Sequence, residues 1–298
     1  MTPPKPLVVI LCETRAHEAT FESFKAHVLD ALGADLALCV SEGPREDPSN
    51  SFYTHAKYVW TCPEYDDWGD GLDTYEDGLH PNWRDWARLP SQWLGGIKTE
   101  PKHSGSAGIL LVFRAFLRAQ LQKLNLLDAY THIIVTRSDF VWRLPHPPLT
   151  LLPEGRFWVP HGEMYFGLTD RHIVLPSHLA LSGLTLTHHL KQDPSIHLSD
   201  WIAKDEHWNI ERVIKASFAN QNILQFMDWM PYIMFSVRLK GGHTSWREGS
   251  YREDLGLFVK YQGEFHTSRK IHKRLAGAPW TQETFDMIMA HENPPQIT

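Results

Sequence analysis

An apolar run rich in β-branched residues, 130–136, stops abruptly at Arg137-Ser138-Asp139. Such a run reads as a buried strand, and in open α/β sheets ligands gather at the carboxyl ends of the strands. A guanidinium placed there can pair with a phosphate, and a carboxylate one residue further on can hold a metal or a polar ligand group. The triplet therefore points to a phosphorylated ligand or its metal. In the competing reading Asp139 caps a turn and Arg137 is its structural ion-pair partner.

Arg15 follows another short apolar run, 7–12, and stands where it could meet a base or a phosphate. The stretch 98–106 carries Lys98, Lys102, His103, Gly105 and Ser106, small enough to let backbone approach a ligand. It is not a Walker-type loop, because GxxxxGK[ST] is absent. The 18 histidines raise the idea of a metal-dependent hydrolase, but no H-E-x-x-H occurs. His188 and His189 are adjacent and would point apart on a helix. The 12 tryptophans are platforms for sugar faces or anchors of the core.

The elements that must position these groups follow from periodicity. Residues 7–12 form a strand, apolar residues over 21–32 have helical spacing with Gly33 as C-cap, and 34–40 form a second strand. This β-α-β opening predicts a parallel sheet with a right-handed crossover. Residues 43–108 are rich in Gly, Pro, Asp and Trp (Trp60, Trp68, Trp83, Trp86 and Trp93) and read as ordered loops, with a strand at 58–60. A helix over 108–127 leads into the strand before Arg137. Further strands are expected at 157–160, 164–167, 232–239 and 257–261, and helices near 174–192 and 206–219. Prolines 145, 147, 148 and 153 mark a crossover between the halves 1–145 and 146–298 of a single domain.

A net charge of −6 with no run of Lys and Arg excludes nucleic acid as the main partner. Cys12, Cys39 and Cys62 match no zinc spacing and no disulfide framework. The first residues lack a signal-peptide pattern, and no run of eighteen apolar residues could cross a bilayer. A soluble, cytoplasmic protein is expected.

Four stations in order resemble glycosyltransferases of the GT-A fold, especially bacterial and viral enzymes of surface-polysaccharide synthesis. They are the β-α-β opening with Arg15, the strand ending in Thr136-Arg137-Ser138-Asp139, the block Gly167-Leu168-Thr169-Asp170-Arg171-His172, and the closing Val259-Lys260-Tyr261-Gln262-Gly263-Glu264-Phe265. The resemblance implies a Rossmann-type mixed sheet flanked by helices, the α/β GT-A architecture. It implies transfer of a sugar from a nucleotide diphosphate sugar, most often uridine-linked, to a glycan or glycoconjugate acceptor. It also implies Mn²⁺ or Mg²⁺ on an Asp-x-Asp motif, offsetting charge on the leaving diphosphate. Here Arg137 stands in place of the first Asp, leaving Asp139 as the ligand, with His266 as the candidate second ligand. Arg15, Arg137, Asp139 and Lys260 are the expected donor contacts, with Arg269 and Lys270 as a lid or simply a basic tail. Asp170 and Glu211 are the leading candidates for the base that takes the acceptor proton, with Glu163 and Glu206 behind them. The departure at Arg137 keeps a second possibility open, a non-catalytic carbohydrate- or nucleotide-binding protein of the same fold.

Overall fold

A computed structural model describes residues 5–43, 47–88, 94–100, 102–196, 208–241 and 248–295. Its centre is a seven-stranded sheet of order β3-β2-β1-β4-β7-β6-β8, comprising β1 (Lys5–Cys12), β2 (Asp35–Ser41), β3 (Tyr58–Cys62), β4 (Tyr130–Thr136), β6 (Phe157–Pro160), β7 (Ile173–Pro176) and β8 (Met227–Met230). β1 to β4 run parallel, β7 is antiparallel to both β4 and β6, and β6 and β8 are parallel. The mixed α/β sheet flanked by helices is thus the architecture expected.

The period of two divides the central strands between two cores. Leu7, Val9 and Leu11, with Ala37, Cys39, Ile133 and Val135, pack on one face with Leu111, Val112 and Leu117 of the helix Ala107–Lys123. Val8, Ile10, Leu36, Leu38 and Ile134 face the other way. They pack with Phe21 and Phe24 of the helix His17–Phe24, which continues through a π turn at Lys25–Leu29, and with Ile271, Phe285 and Ile288 of the C-terminal helices Gln262–Leu275 and Gln282–Glu292. A one-residue slip of β1 would exchange the two faces, so the register is fixed by both cores.

β4 does not simply end at Arg137. After the Arg137-Ser138-Asp139 triplet the chain enters β5 (Phe140–Trp142), which belongs to a second, antiparallel sheet of order β10-β11-β9-β5 with β9 (Met234–Arg238), β10 (Ser250–Arg252) and β11 (Leu257–Val259). The triplet is therefore the joint between the sheets. It is pinned there: Thr20 Oγ1 donates to the Ser138 carbonyl at 2.6 Å, Ser138 Oγ to the Glu13 carbonyl at 2.8 Å, and Val237 N–H to the Asp139 carbonyl at 2.9 Å.

Several sequence expectations are corrected. The helix expected over 174–192 is strand β7 followed by the helix Ser177–Leu184 and a 3₁₀ turn at His188–Lys191. Ile173-Val174-Leu175 is apolar all round, and such a run carries no periodicity to separate strand from helix. Residues 164–167 are no strand, since Tyr165 (φ 42°) and Phe166 (φ 69°), with Glu163 beside them (φ 49°), are left-handed. The segment 43–108 holds the helices Ser51–His55 and Trp68–Tyr75 and a 3₁₀ turn at Trp83–Arg88 besides β3. Asp67 and Arg84 order it: Asp67 accepts from the amides of Gly69 (2.9 Å) and Lys98 (3.0 Å), while Arg84 reaches Asp67, Asp70 and Asp73. Trp60, Trp68, Trp83 and Trp86 are buried in the core. Trp93 and Glu206 lie outside the described residues.

Candidate functional site

A cleft of about 1190 Å³ opens at the carboxyl ends of β1, β2 and β4 and extends to β9, β11 and the start of the helix Ile210–Asn220. Its wall changes character along its length. At the β2 end stand Ser41, Glu64, Trp68 and Phe113, and beside them Gly105, Ser106 and Ala107 at the amino end of the helix Ala107–Lys123. In the middle are Arg15, Arg137, Arg238 and Lys260; beyond these lie Glu163, Asp170 and Glu211.

The middle is a cationic cluster built around Asp139. Arg137 forks onto the Asp139 carboxylate, Nε to one oxygen at 2.8 Å and a terminal nitrogen to the other at 2.7 Å, and Arg238 donates to the second oxygen as well. Asp139 is 1% exposed. Burial opposes its ionisation, but Arg137 and Arg238 overcome this and hold the carboxyl far below the usual carboxylate range. Arg238 is itself buried, and its Nε has no hydrogen-bond partner among the described residues. Arg15 pairs with Glu13. Lys260 is half-buried, lies over the Tyr261 ring at 5.1 Å and makes no ion pair among the described residues. Burial first, then the charges of Arg137 and Arg238, push its ammonium down to about 7.

The acidic end is positioned by a loop and two further cations. Buried Arg114, in the helix Ala107–Lys123, donates to the Asp170 carbonyl at 3.1 Å. Arg171 pairs with Glu264, lies 3.7 Å from the Asp170 carboxylate and stacks on Tyr261 at 4.1 Å. Glu264 also accepts from the Tyr232 hydroxyl and the Ser236 amide, both at 2.7 Å, tying β9 to the helix Gln262–Leu275. Glu211 sits in the first turn of the helix Ile210–Asn220, capped by Asn209, which accepts from the Arg212 amide at 2.9 Å. Burial, then the neighbouring Asp170, raise its carboxyl to about 7. Gly167 brings the two carboxylates' segments together, since a Cβ there would meet the Glu211 backbone at 2.0 Å; the Leu168 amide donates to the Glu211 carbonyl at 2.9 Å.

Of the residues singled out from sequence, Arg15, Arg137, Asp139, Lys260, Asp170, Glu211 and Glu163 border this one cleft. His266 does not: it is on the exposed face of the helix Gln262–Leu275, edge-on to Phe265. Arg269 and Lys270 are exposed on the same helix. Asp139 lines the cleft with both of its oxygens held by guanidiniums. Among the described residues no group of three or more His, Cys, Asp or Glu is arranged to hold a metal. The groups that contact the Asp139 carboxylate are guanidiniums, which cannot ligate a cation. Sequence reasoning missed Arg238, Arg114 and Glu264. Arg238 carried a readable signal, a cation closing the largely apolar stretch Met234–Val237, interrupted at Ser236, as Arg137 closes β4.

No protein-family model matches the chain, and no curated protein matches it. Among solved structures, the crystal structure of mouse xyloside xylosyltransferase 1 in its apo form is similar, with 12% identity over 76% of this chain and 85% of that one, at a TM-score of 0.40.

Proposed function

We propose that the protein is a glycosyltransferase that moves a sugar from a nucleotide diphosphate sugar, uridine-linked, to a glycan or glycoconjugate acceptor. The observation that carries this reading is the order of groups along the cleft. A partly apolar end with small residues suits a nucleoside, four cations suit a diphosphate, and paired carboxylates beyond them suit a sugar and an attacking hydroxyl. A local cationic cluster in a chain of net charge −6 is a placed feature and not a reflection of composition.

In this reading an acceptor hydroxyl attacks the anomeric carbon as the bond to the diphosphate breaks. The electron pair leaves on the nucleotide diphosphate, and the hydroxyl proton passes to Glu211 or Asp170. A carboxyl near 7 serves well as a base at neutral pH, a role typically worth about 10²–10⁴-fold. Direct displacement assisted by a base inverts the anomeric carbon. The half 1–145 supplies the nucleotide end, and 146–298 the sugar and acceptor end. Tyr165, exposed on the cleft wall, would meet the acceptor.

A panel of nucleoside diphosphates and their sugars tests this by thermal shift, because a ligand specific to the folded state raises the melting temperature by mass action. A specific nucleotide should stabilise the protein, and its sugar should be turned over with release of the diphosphate. No stabilisation by any of them would refute the assignment. The commitment of Asp139 to two guanidiniums favours a second, binding-only reading. In that case a sugar nucleotide would bind but never be hydrolysed or transferred.

A further inference from the structure

We infer that the cleft neutralises its diphosphate with protein cations alone, through Arg15, Arg137, Arg238 and Lys260, and works without a divalent metal. This rests on the donor reading above and specifies how that site takes its ligand.

The geometry argues it from both sides. The carboxylate that a metal would need is spent. Asp139 is almost fully buried, Arg137 occupies both of its oxygens and Arg238 shares one. A divalent ion would have to displace two guanidiniums and then sit among Arg15, Arg137, Arg238 and Lys260, where like charges repel. Among the other carboxylates on the cleft wall, Glu13 is paired with Arg15, Glu163 accepts from the Tyr165 hydroxyl at 2.7 Å, Asp170 lies 3.7 Å from the Arg171 guanidinium, and burial favours the neutral form of Glu211.

The cations, by contrast, have capacity left. Arg137 uses Nε and one terminal nitrogen on Asp139, is a quarter exposed, and keeps an edge toward the cleft. Arg238 lines the same wall, and its buried Nε has no partner among the described residues. A buried donor left unsatisfied is costly, and an incoming phosphate oxygen is the kind of acceptor that would satisfy it. Lys260 is half-buried with no carboxylate on it. Asp139 then has a positioning role, holding two guanidiniums rigid so that they stabilise charge developing on the leaving diphosphate without reorganising.

Titration calorimetry with UDP, GDP, CDP and dTDP tests this, run on the whole protein in EDTA and again with excess MnCl₂. The best-bound diphosphate should have the same affinity in both media, within about threefold. Lys260→Met and Arg15→Ala should each weaken it by about tenfold in EDTA, a loss of one charge-assisted contact, while leaving the free nucleoside's binding unchanged. Circular dichroism confirms that both variants are folded. Binding that requires Mn²⁺, or tightens about tenfold or more with it, would overturn metal independence and leave the donor reading standing. Wild-type affinity in both variants would equally overturn it. Failure of every diphosphate in both media would remove the donor reading and this inference together.

Discussion

Asp139 holds two guanidiniums at the joint between the sheets. Arg238 and Asp139 are both almost fully buried, so removing one partner leaves an uncompensated charge. Arg238→Met should destabilise the fold by about 3 kcal/mol, at the low end of what breaking a buried pair costs because Arg137 still covers Asp139. Urea unfolding measures this, and adding Asp139→Asn should return part of the loss. A change below about 1 kcal/mol would mean that the pair does not hold the joint. Lys260 makes a prediction about pH. Burial and the guanidiniums of Arg137 and Arg238 hold its ammonium near 7, with Asp139 pulling the other way and Arg171 adding to the depression. A bound diphosphate stabilises the charged form, so binding takes up protons and weakens as pH rises through and above 7. Calorimetry in buffers of different ionisation heat should show uptake in the wild type and less of it in Lys260→Met.

The loop between β6 and β7 couples Asp170 to Glu211 through a contact at Gly167 that only glycine allows. Gly167→Ala places a methyl against the Glu211 backbone, which cannot yield as a side chain tip would. A loss of about 1–3 kcal/mol is expected for overpacking of this kind, together with reduced turnover because both carboxylates shift. Chemical denaturation and product release check the two parts, and an Ala variant of unchanged stability and activity would disprove the coupling. Legibility from sequence divided along the same line. β1, β2 and β4 were readable because each is a short apolar run closed by polar residues, and Arg137 and Asp139 could be placed at a strand end. What Asp139 does was not readable, because Arg238 reaches it from a strand 99 positions away. Pairings of that range leave no local periodicity. β7 was mistaken for helix since its apolar residues face both cores. The segment 164–167 was mistaken for strand because aromatic residues favour strands, whereas here Tyr165, on the cleft wall, and Phe166 turn left-handed, a strained conformation.

Across the whole molecule, two sheets meet at Arg137-Ser138-Asp139, and the cleft takes its walls from both. Among the described residues no helix is long and apolar enough to cross a membrane. The fold carries a sensitivity to acid that is separate from the cleft. His146 and His172 are buried with ring centroids 5.5 Å apart, and neither nitrogen of His172 has a hydrogen-bond partner. Burial lowers His146 to about 4 and His189 to about 3, and drives His172 well down too. The unfolded chain binds more protons than the native one below about 6.5, so stability is full above that pH and falls below it. Each such histidine contributes up to about 1.4 kcal/mol per pH unit. Melting temperature should drop between pH 7 and pH 5, and His172→Phe should reduce the drop; an equal drop in the variant would exonerate that residue. The central claim, a diphosphate of an activated sugar seated on the cations between the two sheets, is met most directly by a crystal structure with UDP bound. The account predicts both phosphates against Arg15, Arg137, Arg238 and Lys260, with Asp139 still paired to its two guanidiniums. Phosphates bridged to Asp139 through a metal, or UDP bound elsewhere on the protein, would contradict it.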